Sequence, residues 1–248
     1  MNENFYDSYV KISPNSMQLE AINSLDRLRV HGEKKALAIA ATGSGKTYTI
    51  FGKEGQAQNF LINDTISGII PKAAKLLFSL ISEDKNNYTF KVSFIEIYNE
   101  RVNDLLKKES ENLKIRWTKE SGYFTENTLI VECSSAQDIL EVLIEGINNR
   151  KSGSHYLNSD SSRSHSILTI NIFCKEKSRL STLTFVDLAG SERQKKTGAQ
   201  GDVLEQAIHI NQSLSTLGNV VSALVAGKSH IPYRDSKLTK RSEERRVG

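Results

Sequence analysis

Apolar and polar positions change rhythm several times along this chain, and each change predicts an element. Over SMQLEAINSLDRLRV (16–30) the apolar residues Met17, Leu19, Ala21, Ile22, Leu25 and Leu28 fall close to helical spacing, with Ser16 as N-cap and Gly32 as terminator. KALAIA (35–40) is a short apolar run ahead of glycines and predicts a buried strand. A helix opens at Thr47, and GIIPKAAKLLFSLI (68–81) is a second, with Pro71 at its start. YTFKVSFIEIYNE (88–100) alternates apolar with polar residues, the period of a strand. LKIRW (113–117) and NTLIVEC (127–133) are short strands around a polar loop. SAQDILEVLIEGINNR (135–150) predicts an amphipathic helix capped by Ser134 or Ser135. SHSILTINIFC (164–174) and LSTLTFVD (180–187) are the strongest strand patterns, joined in a hairpin that turns at KEKS. From Val203 to Ala226 a helical pattern runs for roughly 36 Å, at about 1.5 Å per residue. Strands alternating with long helices predict a layered α/β fold, and neither internal repeats nor low-complexity tracts interrupt it.

Composition narrows the class. A chain of 248 residues, 38% hydrophobic and 25% charged, can bury the core of one large or two small globular domains. A net charge of +4 is too small to point to nucleic acid. Cys133 and Cys174 are far apart and outside any CxxC spacing, which predicts two reduced, packed thiols rather than a disulfide or a metal site. No run approaches the roughly 20 apolar residues of a membrane span, and MNENFYDSYV is not a signal peptide. A cytoplasmic protein without a membrane partner is expected.

Three segments carry chemistry. In AATGSGKT (40–47), Gly43 and Gly45 let backbone N–H groups face phosphate oxygens, Lys46 can reach the β- and γ-phosphates, and Thr47 can hold Mg²⁺. Ala40 stands where the G-x-x-x-x-G-K-T pattern has its first glycine. In TFVDLAGSE (184–192) a strand ends in Asp187, a carboxylate able to hold Mg²⁺ through water, and Gly190 lets a backbone N–H approach the γ-phosphate. In NSDSSRSH (158–165) the hydroxyls of Ser161 and Ser162 can meet Mg²⁺ or phosphate, with Arg163 a fixed charge beside them. Taken singly, the second segment also reads as a strand-end turn and the third as a hydroxyl-rich loop capping a strand. Together the three predict hydrolysis of a nucleotide.

The text around these segments resembles the kinesin motor domain. NSDSSRSH, VDLAGSER and HINQSLSTLGNVVSAL…HIPYRDSKLT occur in that family's order, and TYTIFG, GIIPKAAKLLF and SFIEIYNERVNDLL resemble it too, so the likeness covers roughly Thr42 to Thr239. It implies a P-loop NTPase with a kinesin-like central mixed sheet flanked by helices, incomplete at both ends, and a microtubule-stimulated ATPase using ATP and Mg²⁺. Thr42, Gly43, Ser44, Gly45, Lys46, Thr47 and Tyr48 would hold the nucleotide, and Thr47, Ser162 and Asp187 the metal. Arg163 would pair with Glu192 to organise the attacking water, with Gly190 at the γ-phosphate. The helix over 203–226 would lie on the microtubule. Arg234 and Lys237 would meet tubulin, with Lys195 and Lys196 weaker candidates; a solvated surface charge is the plainer reading of each lysine. Binding to acidic tubulin would be salt-sensitive. His165 and His209 read as structural. The implied setting is the cytoplasm and its microtubules, and the implied parent is a dimer joined by a coiled coil outside this chain.

Both flanks depart from that text. NSMQLEAINSLDRLRVHGEKKALAIAATGSGKT resembles the start of a superfamily-two helicase or restriction translocase, in which Gln18 would touch adenine; on an amphipathic helix it is equally a polar-face residue. No DEAD- or DExH-type acidic box follows, which speaks against nucleic acid as a partner. RSEERRVG (241–248) resembles translated short-read sequencing adapter. The expected organisation is a helicase-like segment over 1–41, a partial motor domain over 42–240 and an artefactual tail over 241–248. Missing sheet members would expose edges and leave motility weak or absent. The alternatives are a helicase-type P-loop ATPase and a tubulin-binding module impaired in turnover.

Overall fold

Along the longest strands, alternate side chains enter two different cores, so the sheet they form is covered on both faces. The computed structural model describes residues 35–40, 50–52, 67–82, 85–107, 112–118, 122–154, 163–190 and 202–242, all within one compact unit, Lys34–Gly248; over 35–40, 151–154, 202–209 and 241–242, and at 85 and 122, the description is of backbone. In chain order the elements are β1 (Lys35–Ala40), α1 (Ile69–Leu80), β2 (Tyr88–Tyr98), β3 (Arg101–Asp104), β4 (Ile115–Thr118), β5 (Gly122–Thr125), β6 (Val131–Cys133), α2 (Ala136–Ser154), β7 (His165–Cys174), β8 (Arg179–Asp187), α3 (Asp202–Val225) and α4 (Lys237–Ser242).

The main sheet runs β1-β8-β7-β2-β3, with β6 also on β2. β1 lies parallel to β8, while the β8–β7, β7–β2, β2–β3 and β2–β6 pairs are antiparallel, so the expected mixed sheet is present. Phe90, Val92 and Phe94 of β2, Leu168 and Ile170 of β7 and Phe185 of β8 share one core with Ile70 and Ala74 of α1 and Ile139, Leu140 and Leu143 of α2. Ile95, Ile97, Ile167 and Val186, one residue out of phase, share the other with Leu214 and Leu217 of α3 and Leu238 of α4. β4 and β5 form a separate two-stranded sheet. The expected layered α/β architecture is present: helices on both faces of a mixed sheet.

Several elements differ from the periodicity reading. The alternating run 88–100 divides at Asn99 and Glu100, whose φ values of 49° and 54° turn the chain back as β3. Asn99 tolerates the left-handed region, but Glu100 stands where such turns favour glycine, and this hides the turn from the pattern. The polar stretch before residue 127 contains β5, and only the last three residues of 127–133 join the sheet. Asn127 has φ 60°, and the Leu129 N–H donates to the buried Asp104 carboxylate at 2.6 Å, which draws this segment off the ladder. The KEKS turn is present, closed by Ser178 N–H donating to the Lys175 carbonyl at 3.2 Å. α2 begins at the expected cap: Ser135 Oγ accepts the Asp138 N–H at 3.1 Å, and the Asp138 carboxylate accepts the Ser134 and Ser135 N–H groups, a capping box with aspartate in its fourth position. Glycine is required at two packed sites. A Cβ on Gly68 would fall on the Ile50 carbonyl, and one on Gly146 of α2 on the Phe94 ring. The helix expected over 16–30 lies outside the described residues.

Candidate nucleotide site

Strand register brings the described ends of the three chemical segments to one edge of the sheet. Ala40, the last residue of β1, is the partner of Asp187, the last residue of β8. The two strands are parallel, so β1 and β8 end side by side at one edge of the sheet. β7 runs the other way, and its start lies at the same edge, with Ser166 opposite Asp187. Arg163 and Ser164, which lead into β7, therefore lie at the edge where β1 and β8 end. Carboxyl ends of strands in open α/β sheets are where such folds place ligands.

Beneath this edge sits a buried ionic cluster centred on Arg150 of α2, whose side chain is 8% exposed. Its Nη1 lies 3.3 Å from Asp187 Oδ2, and its Nε lies 3.2 Å from Glu96 Oε1 of β2. Nη2 donates to the Ser164 carbonyl and to Ser164 Oγ, both at 2.9 Å, and Nη1 reaches Ser166 Oγ at 3.5 Å. One guanidinium thus joins β2, the end of the 158–165 loop, β7 and the end of β8. A planar fork of five N–H donors can serve that many acceptors at once, and an ammonium cannot.

His165 forms a second link. Its Nδ1 accepts the Ala189 N–H at 3.0 Å, and its Nε2 lies 2.8 Å from Ser213 Oγ of α3. Gly190 follows Ala189 and is buried. Arg163 is half-buried two residues before β7. Arg234 is exposed in the 3₁₀ turn Tyr233–Asp235, with its Nε 3.3 Å from Tyr123 Oη. Lys237 opens α4, and its backbone N–H donates to Glu100 Oε2 at 2.9 Å. The turn and α4 both pack on α3. Thr42, Gly43, Ser44, Gly45, Lys46, Thr47, Tyr48, Ser161, Ser162, Glu192, Lys195, Lys196, Gln18 and the side chain of His209 lie outside the described residues.

A family model for the kinesin motor domain matches residues 17–241. The chain belongs to the kinesin family. It is 45% identical over 219 residues to kinesin-like protein KIN-12E of Oryza sativa subsp. japonica, a match covering 82% of this chain and 12% of that protein. Kinesin-related protein 3 of Dictyostelium discoideum is 45% identical over 215 residues, covering 82% of this chain and 17% of that protein. Among solved structures, that of a fast kinesin, described for its ATPase mechanism and interactions with microtubules, superimposes with a TM-score of 0.72 at 38% identity, covering 91% of this chain and 63% of that one. The chain thus spans a small part of these curated relatives' length. The family match takes in residues 17–41, and the comparisons give no support to a helicase likeness there or to the adapter likeness of 241–248. Just beyond that stretch, T-G-S-G-K-T serves the same backbone geometry in any P-loop protein and does not separate one family from another.

Arg150 is the residue motif reading passes over. Its signal is positional: it continues the buried stripe of α2 through Ile139, Leu143 and Gly146 at steps of three and four, where an arginine has to find acidic partners. Among the described residues no helix is long and apolar enough to cross a membrane.

Proposed function

We propose that this chain is the catalytic part of a kinesin motor, binding Mg·ATP at the sheet edge where β1 and β8 end, hydrolysing it, and binding microtubules. The observation that supports the reading is the Ala40–Asp187 register, which ends β1 beside the strand that leads into the D-x-x-G turn. The residues present fit magnesium: Asp187 is a buried hard-oxygen donor at the strand end from which the turn departs, as such a cation requires. When bound, Mg²⁺ neutralises phosphate charge, and Thr47, Ser162 and Asp187 would hold it. Thr42 to Tyr48 wrap the nucleotide, with Lys46 on its terminal phosphates. Gly190 offers its N–H to the γ-phosphate, and Arg163 with Glu192 orients the attacking water, so catalysis is positioning and electrostatics. Arg150, 3.3 Å from its Oδ2, fixes the position of Asp187. Arg234 and Lys237, with Lys195 and Lys196, meet acidic tubulin on the side of the sheet where α3 and α4 pack. The setting is the cytoplasmic microtubule network, and the longer parent pairs through a coiled coil beyond this chain.

The test is ATP turnover with microtubules, with DNA, and with neither. Stimulation by microtubules that weakens with added salt and is abolished in Lys46→Ala supports the reading. Stimulation by DNA instead would replace it with a translocase, and tubulin binding without turnover would reduce it to a binding module.

A further inference from the structure

One chain of contacts runs from the edge where β8 ends to α3 on the other side of the sheet. We propose that His165 is a positioning residue that couples the D-x-x-G turn to α3 through a directional hydrogen-bond chain. The inference rests on the function proposed above.

Proton bookkeeping makes the chain directional. Ala189 N–H can only donate, so Nδ1 of His165 is an acceptor and carries no hydrogen. Ser213 Oγ donates its single hydrogen to the Ile210 carbonyl at 2.8 Å, so at 2.8 Å from Nε2 it must accept. The neutral Nε2–H tautomer satisfies both conditions: Ala189 N–H to Nδ1, Nε2–H to Ser213 Oγ, Ser213 Oγ–H to the Ile210 carbonyl. Every rotor and tautomer along it is fixed by its neighbours.

Burial makes the chain stiff. His165 and Ser213 are each 3% exposed and Ala189 is fully buried, so water cannot replace a broken bond in this chain. Its first member is adjacent to Gly190, the residue whose N–H faces the γ-phosphate in the proposed function. Its last lies near the middle of α3, the long helix that with α4 covers the second face of the sheet. A displacement of the 188–190 turn has to move the imidazole or break its bond, and a displacement of the imidazole acts on α3 at Ser213. The histidine touches no reacting atom in this scheme; it transmits position.

Hydrogen exchange of α3 amides, with and without a non-hydrolysable Mg·ATP analogue, tests this on the whole chain. In the parent protein the analogue should change protection over residues 210–217. In Ser213→Ala the analogue should bind within about twofold of the parent affinity while the protection change falls by about fivefold or more, the low end of ordinary coupling between sites. His165→Gln, which cannot reproduce both ring nitrogens, should lose the change likewise. Val220→Ala, an equally buried truncation of α3 outside the chain, should keep it. A full protection change in Ser213→Ala, or an equal loss in Val220→Ala, overturns the proposal. If the parent protein binds no analogue, the nucleotide reading falls and the coupling with it. If α3 responds but microtubules do not bind, the coupling stands and the tubulin assignment alone fails.

Discussion

Truncating Arg150 to alanine leaves two acidic groups inside the protein without the cation they share. Asp187 is 3% exposed and Glu96 16% exposed at the side chain. Removing one partner of a buried pair costs about 3–5 kcal/mol, because the remaining charge is stranded rather than because the attraction is lost. Glu96 can recover part of its hydration and Asp187 cannot, so the loss expected for Arg150→Ala is about 3–4 kcal/mol. Ser164 also loses acceptor contacts at 2.9 Å on both its carbonyl and its hydroxyl. Arg150→Lys keeps the charge but not the fork, and the expected loss is about 1–2 kcal/mol. Arg116 and Glu126, 53% and 41% exposed, provide the internal control: Arg116→Ala should change stability by less than about 1 kcal/mol. The assay is urea unfolding followed by far-UV circular dichroism, with the denaturant slope checked for constancy across the variants. Neutralising one carboxylate in the double variant Arg150→Ala/Glu96→Gln should recover part of the loss. Equal midpoints for Arg150→Ala and Arg116→Ala would refute the view that the cluster is a buried, mutually dependent unit.

Gly146→Ala improves helix propensity by about 1 kcal/mol but drives a methyl into the fully buried Phe94 ring, a strain of about 1–3 kcal/mol, so melting should show net destabilisation that Phe94→Leu relieves in the double variant. Asp104→Asn replaces an acceptor-only carboxylate that takes the Leu106 N–H at 2.9 Å and the Leu129 N–H at 2.6 Å; one bond is lost and chemical denaturation should report a cost of about 1–3 kcal/mol. Burial, with Asp138, Glu132 and Glu141 nearby, pushes the Cys133 thiol from 9.0 up to about 11. The folded state then holds its proton where the unfolded state has released it, so this group's contribution to stability is intact below pH 9 and falls by up to about 2–3 kcal/mol as pH rises to 11. Comparing pH-dependent unfolding of the parent and Cys133→Ala isolates that slope, and the thiol should resist labelling at pH 8 until urea is added.

Much of the architecture is legible in the residues, because most of its long elements carry a clean period. β2, β7, β8 and α3 each repeat their pattern over nine residues or more, and the observed bounds fall within a few residues of those predicted. What escapes pattern reading depends on single interactions. β3 exists because Asn99 and Glu100 turn the chain, and 127–130 leaves the sheet because Asp104 captures a backbone N–H. The candidate site divides the same way. Asp187 and Gly190 are visible as a motif, and the edge on which they sit follows from strand order. Arg150 is not visible as chemistry, because an arginine in an amphipathic helix looks like solvent-facing charge until the partners across the sheet are known. The family text is specific downstream of the phosphate loop and ambiguous within it, since phosphate geometry dictates those residues whatever the family.

The parallel pairing of β1 with β8 also sets when the site can come into being. Ala40 and Asp187 are neighbours in the sheet yet about 150 residues apart in the chain, whereas β7 and β8 meet across a four-residue turn. At roughly 5–20 residues per second of synthesis, β1 waits on the order of ten seconds for its partner to be made. Through that interval its edge must be shielded from other chains, and the hairpin that receives it forms last among its contacts to become available. The edge where β1 and β8 end is therefore a late product of folding, assembled by the closure of a very long loop.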